Sequence, residues 1–162
     1  MWAEASVGLR WPMQREDKTL RVMREEEESL VRRLCAEIDH GAWLADRPPG
    51  WHREHSTVVA ERDGRIVGYT TYLIRQGCMV GLETCVTGEY RGRGIGRALM
   101  EYRLAVAQRL NCQIVTGGVR EDHEVMVHLL ESLGLHACQR VPQGYGPDPM
   151  MVYARHLHME NT

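Results

Sequence analysis

Between Val86 and Met100 the chain reads VTGEYRGRGIGRALM, with glycines at 92, 94 and 96 and arginines at 91, 93 and 97. An apolar run, CMVGLETCV (78–86), precedes it. A stripe at helical spacing follows, made of Ile95, Leu99, Tyr102, Val106 and Leu110. CQIVTGG (112–118) then reads as a buried strand. Strand, glycine loop, helix and strand form a β-α-β unit, whose two strands must run parallel. The glycine loop is therefore pinned between the end of one central strand and the start of a helix. A dinucleotide fingerprint starting at Gly92 would need glycine where Arg97 stands, and a P-loop would need a lysine that the stretch lacks. What is left is a turn of bare backbone N–H groups at the positive end of a helix dipole. That geometry suits a phosphate or pyrophosphate. Glycine is required because side chains would hold the phosphates off the backbone.

The remaining segments build around this unit. Residues 1–18 read as an irregular leader, carrying Trp2 and Trp11, and 19–162 as one domain. TLRVM (19–23) is a strand pattern. REEEESLVRRLCAEI (24–38) is an amphipathic helix with Leu30, Val31, Leu34, Cys35 and Ile38 on one side. Its Glu25–Glu28 run lies in the first turn, where the helix dipole favours negative charge. Residues 39–55 are a loop broken by Pro48, Pro49 and Gly50. Asp63-Gly64 and Gln76-Gly77 mark the tight turns of a three-stranded antiparallel meander that ends at Val86. A helix over about 122–133, closed by Gly134, precedes HACQRV and MMVYARHL, two closing strands joined by the loop PQGYGPDP.

Composition narrows the function classes. A net charge of −2 argues against general binding to nucleic acid or an anionic membrane, and no apolar run is long enough for a membrane span. The five cysteines include no C-x-x-C pair, and with an odd count and no signal peptide they read as reduced thiols of a cytoplasmic protein. His52-x-x-His55 and His156-x-His158 lack cysteine or carboxylate companions at ligand spacing, so no metal site is expected.

Arg91-Gly92-Arg93-Gly94-Ile95-Gly96 matches the Arg/Gln-x-x-Gly-x-Gly/Ala motif of the GNAT superfamily of N-acetyltransferases. LETCVTGEYRGRGIGRALM resembles that family's fourth-strand, loop and third-helix segment, and the element order over roughly 19–157 is similar. The resemblance implies an α/β (α+β) fold. Its sheet would be mixed and mostly antiparallel, with a central β-α-β unit, splayed at the cofactor cleft. It implies acetyl-CoA, or another acyl-CoA, as donor, with the pyrophosphate on the amides of Arg91, Gly92, Arg93, Gly94, Ile95 and Gly96. Thr84, Cys85 and Val86 would hydrogen-bond the pantetheine arm. The acceptor would be a small-molecule amine or a protein amino group, attacked directly in a ternary complex. A homodimer stays open, as does the second class of function, a degenerate domain that binds CoA as a sensor or structural protein.

The chemistry asks for more residues. An amine acceptor is mostly ammonium near neutral pH and needs a base to take its proton. The tetrahedral oxyanion wants a donor, which by family analogy is the Val86 N–H. Glu83, three residues before Val86, is the candidate base, against the plain alternative of a strand carboxylate. By strict alternation it shares a face with Cys85. Counting back from Gly134-Leu135 puts Leu130 where the family's tyrosine acid stands and His123 where its asparagine stands. The acid is then His123, Tyr145 in the last loop, or no protein group at all. His123 has the alternative of a capping residue. Cys85 as a covalent acyl carrier is set against a small buried hydrophobe. Trp43, Trp51, His52 and His55 either shape an acceptor pocket or pin the loop to the core.

Overall fold

The structure, a computed structural model, describes residues 19–38 and 48–157. The leader 1–18, Trp43 and His158 lie outside the described residues, and nothing is said of the side chains of Ile38, His52 and Tyr145. The strands are β1 (Thr19–Val22), β2 (Ser56–Arg62), β3 (Arg65–Arg75), β4 (Cys78–Val86), β5 (Ile114–Arg120), β6 (His136–Tyr145) and β7 (Asp148–His156). The helices are α1 (Glu28–Ile38), α2 (Ile95–Arg109) and α3 (Glu124–Ser132). The strands form one sheet in the order β1-β2-β3-β4-β5-β7-β6. The β4–β5 pair is parallel and its neighbours are antiparallel. This is the mixed sheet with a central β-α-β unit that the glycine stretch predicts.

Both meander turns are two residues long, and every turn residue has positive φ: 52° and 73° at Asp63-Gly64, 49° and 75° at Gln76-Gly77. That is the turn class whose twist matches paired strands. The acidic run does not open a single helix. Glu25–Glu27 form a 3-10 turn before α1. Glu27 pairs with Arg21 at 2.7 Å, which holds its carboxyl down at about 2. Glu28 pairs with Arg32 and accepts the Gly50 N–H at 2.9 Å, tying α1 to the loop before β2. Side-chain partners, more than the dipole, account for these two carboxylates.

The stretch read as a loop over 142–149 is mostly strand. β6 runs to Tyr145 and β7 begins at Asp148, with Tyr145 opposite Asp148. The prolines misled the reading because Pro142 sits on the edge strand, where a missing N–H costs little. The register between β6 and β7 is irregular there, between Val141 and Tyr145.

The sheet buries both faces. On one, α2 packs Ile95, Leu99 and Tyr102 against Val58, Val67 and Met79. α3 joins the same side through Leu130, which clusters with Met100, Val119, Leu135 and Tyr153. On the other face, Val31 and Cys35 of α1 and Trp51 pack on Val59 and Tyr69. Trp51 thus pins its loop to the core, one of the two roles open to it. Leu110, placed on the apolar stripe of α2, is 54% exposed because it lies past the helix end.

Gly68 of β3 lies opposite Val86, and a Cβ there would come 2.8 Å from the Cys85 carbonyl oxygen, a backbone atom with no room to yield. Gly68→Ala is expected to cost about 1–3 kcal/mol, the range for overpacking. Chemical denaturation checks it, and wild-type stability would show that the strand can shift.

Candidate active site

β4 and β5 pair only from Cys78–Gly81 to Ile114–Gly117. Beyond that point β4 follows β3 to Val86 and β5 follows β7 to Arg120, so the two strands part. The gap is a cleft with β4's free edge on one side. Thr87 N–H donates to the Val67 carbonyl at 2.9 Å. Antiparallel alternation then turns the main chain of Thr84 and Val86 toward the cleft and that of Cys85 toward β3. The edge therefore offers Thr84 and Val86 amides; Cys85, grouped with them from the sequence, spends its main chain on β3.

The glycine loop closes the outer end of the cleft. Gly92 and Gly94 have φ of 72° and 79°, and Gly94 caps α2. A Cβ at Gly92 or Gly94 would meet nothing within 4 Å, and one at Gly96 only a Val86 methyl at 3.9 Å. The first α2 amide with a partner at this end is Ala98, which donates to the Gly94 carbonyl at 3.0 Å. The amides before it belong to a first turn that has no carbonyl within its own helix. The result is an open cradle of backbone, sized by what glycine leaves out.

The arginines of the loop have structural partners. Arg91 Nε donates to the Val86 carbonyl at 3.0 Å, holding the loop against the end of β4. Arg93 and Arg62 both lie over the Tyr90 ring, at 5.2 and 5.6 Å from its centroid. Arg97 donates to Ser132 Oγ at 2.7 Å and pairs with Glu101, joining the start of α2 to the end of α3. Arg91, Arg93 and Arg97 are nevertheless exposed, so their charge reaches the cradle's rim.

A bulge sets the faces of β4. Thr71 pairs with Glu83 and Tyr72 with Gly81, leaving Leu82 as an extra residue. Met79, Gly81 and Thr84 face α2: Met79 packs in the α2 core, and Thr84 Oγ1 lies 3.4 Å from Met100 Sδ. Glu83 and Cys85 face α1. The Glu83 carboxylate lies 3.8 Å from Cys35 Sγ and 3.5 Å from Cys85 Sγ. Without the bulge, simple alternation from Met79 would put Glu83 on the α2 face. The bulge precedes Glu83, so Glu83 and Cys85 keep the shared face read from the sequence. Burial first, then the charge of Glu83, pushes the Cys85 thiol well above its usual range. A thiol held protonated in this way is a poor covalent carrier.

The remaining candidates separate. His123 is the N-cap of α3, and its Nδ1 accepts the Met126 N–H at 3.3 Å. Leu130 is 4% exposed within the α3 core, which leaves no polar role at that position. Tyr145 is placed at the end of β6. His55 Nδ1 lies 3.1 Å from the Trp51 carbonyl oxygen. No group of three or more His, Cys, Asp or Glu side chains among the described residues could hold a metal ion. No helix among them is long and apolar enough to cross a membrane.

One residue the sequence reading passed over is Arg103 on α2, 4% exposed. Its Nη1 lies 3.4 Å from Thr70 Oγ1 and 3.4 Å from Met100 Sδ, while Nε has no partner. Thr70 Oγ1 in turn lies 2.8 Å from Thr84 Oγ1 and donates to the Glu83 carbonyl at 3.0 Å. Desolvation lowers the Arg103 pKa to about 10, so it stays charged at neutral pH. The only available signal was a charge four residues after Leu99, on the apolar stripe itself.

A family model described as Acetyltransferase (GNAT) family matches residues 13–135, more than half of the chain. Among solved structures, a ribosomal-protein-alanine N-acetyltransferase from Brucella melitensis superposes with a TM-score of 0.72 at 20% identity, covering 86% of this chain and 99% of its own. The yncA protein of Salmonella typhimurium, solved with acetyl-CoA, gives a TM-score of 0.73 at 16% identity, covering 91% and 98%. A dodecameric spermidine N-acetyltransferase from Vibrio cholerae gives 0.72 at 15% identity, covering 86% and 94%. No curated protein sequence matches.

The thiols provide a direct check on the site's electrostatics. Cys138 is exposed, Cys35 is fully buried and Cys85 has a raised pKa. Mass-resolved alkylation at pH 8 is expected to label Cys138 first and to reach Cys35 and Cys85 only on unfolding. Early labelling of Cys85 would contradict the environment described for it.

Proposed function

The chain belongs to the GNAT acetyltransferase family, and we propose that its cleft takes acetyl-CoA and passes the acetyl group directly to a primary amine in a ternary complex. The observation that carries this reading is the open backbone cradle at the outer end of the β4 edge, where added Cβ atoms at Gly92 and Gly94 would meet no protein atom. In this reading the amides of Gly92, Arg93, Gly94, Ile95 and Gly96 hold the pyrophosphate, with the α2 dipole behind them, while the Arg91 N–H, grouped with them from the sequence, is spent on the Gly88 carbonyl at 3.3 Å. The Thr84 and Val86 main chain holds the pantetheine arm, and the Val86 N–H steadies the oxyanion. His123, at the start of α3, is assigned a supporting contact to the cofactor. Acetyl-CoA supplies an activated thioester; every other part of the chemistry belongs to the chain.

The two faces of β4 divide that chemistry. The donor lies along the edge that leads from the α2 side. Glu83 faces α1, so the amine is assigned to that side, where Glu83 takes its proton directly or through water. The amine nitrogen forms a bond to the thioester carbon, the C–S bond breaks, and the electron pair leaves on sulfur. With Leu130 in the core, the thiolate is protonated by Tyr145, by His123 or by solvent. The acceptor is a small amine or a protein amino group, the classes on which the named neighbours act, and the compartment assigned is the cytoplasm. A homodimer is compatible with this reading.

Two measurements test it. Gly96→Leu is the sharper of the loop variants, because Gly96 has ordinary φ and open space, whereas Gly94 at 79° would be strained by any side chain. CoA affinity by calorimetry is expected to fall at least about tenfold with the fold intact; unchanged affinity would remove the pyrophosphate assignment. Glu83→Gln is expected to lower amine-dependent thiol release by roughly 10²-fold or more, the scale of general-base removal, while CoA affinity stays near wild type. Full activity of that variant from pH 6 to 9 would move the base elsewhere. CoA binding without thiol release for any amine would identify a CoA-binding domain without transferase activity.

A further inference from the structure

The cleft narrows to a fork at the last parallel pair, Gly81 with Gly117. Arg103 lies at this fork. A Cβ on Gly81 would occupy the place of its guanidinium, so the absence of a side chain at 81 is what lets the group lie against the strand. It sits on the α2 face, the face on which the glycine loop leads into its helix. No carboxylate pairs with it among the described residues: its hydrogen bonds are the long ones to Thr70 and Met100, and Nε has none. A buried charge with no counter-charge is costly, and the usual remedies are an opposite charge or full hydrogen bonding. Among the described residues neither is supplied, and the side chain that favours its charged form is Tyr72.

Beyond the fork the strands part into the cleft, and the guanidinium beside it is 4% exposed. From the glycine loop the β4 edge runs through Val86 and Thr84 toward Gly81, and Thr84 to Gly81 spans about 10 Å less the shortening at the Leu82 bulge. With the thioester carbonyl at the Val86 N–H, the acyl chain runs along the edge toward Thr84, whose Oγ1 lies 2.8 Å from Thr70 Oγ1, itself 3.4 Å from Arg103 Nη1. An acetyl group brings no charge there, whereas a short acyl chain ending in a carboxylate brings the anion that Arg103 lacks.

We propose that Arg103 makes the inner end of the cleft an anion-receiving acyl pocket, so that the protein takes, besides acetyl-CoA, a CoA thioester whose short acyl chain ends in a carboxylate. This rests on the reading of the cleft as an acyl-CoA site. The transfer is unchanged in kind: a C–N bond forms at the thioester carbon, the C–S bond breaks, CoA leaves as thiolate and takes a proton. The terminal carboxylate passes through intact, held by Arg103 in a charge-assisted hydrogen bond.

Binding of CoA, acetyl-CoA, butyryl-CoA and succinyl-CoA is compared by calorimetry for the wild type and for Arg103→Met. Butyryl and succinyl chains have the same number of carbons and differ in the terminal charge. The wild type is expected to bind succinyl-CoA at least tenfold more tightly than butyryl-CoA, and Arg103→Met to reverse that order. If wild-type protein binds CoA and acetyl-CoA yet prefers butyryl-CoA or shows no preference, the proposal is overturned while the cleft assignment stands. If it binds none of the four, both fall together. Should Arg103→Met fail to fold, the wild-type comparison alone decides.

Discussion

Everything in the site follows from the short pairing between β4 and β5. Four residues on each strand are held in register and then the strands separate, because β4 stays with β3 and β5 with β7. A fully paired sheet would spend the amides of Thr84 and Val86 on a neighbour. Parting the strands leaves them facing a gap whose far end meets the first turn of α2. Two sets of unspent backbone donors are thereby aligned along one path, and neither needs a particular side chain. A chain only 15–20% identical to the named structural neighbours can keep their fold on these terms.

Much of this was legible in the sequence, because the strongest local signals are those that fix the backbone. Asp63-Gly64 and Gln76-Gly77 allow few turns, so the meander followed. Three glycines before a helical stripe located the cradle, and the β-α-β rule made the two central strands parallel. What stayed illegible depends on side chains meeting across elements. The pairing of Glu27 with Arg21 and of Glu28 with Gly50 split the acidic run into separate jobs. The Leu82 bulge, which decides that Glu83 faces α1, leaves no mark in the apolar pattern. Proline signals over 142–149 overrode a strand that an edge position tolerates.

Arg103 illustrates the same limit from the opposite direction. A helical stripe is found by counting apolar residues, and a charge on that stripe is passed over as noise. Its burial becomes meaningful only when Gly81, on another element, is seen to make room for it. Replacing a buried charge by a hydrophobe often stabilises a protein, so a guanidinium left there without a carboxylate partner is not explained by stability alone.

The seam between β4 and β5 also divides the sheet mechanically. On one side lie β1 to β4, of which β2, β3 and β4 follow one another through tight turns while α1 stands between β1 and β2; on the other lie β5 to β7, joined through α3 and a final hairpin. A rotation at that seam would change the width of the cleft while leaving the pairings within each half intact.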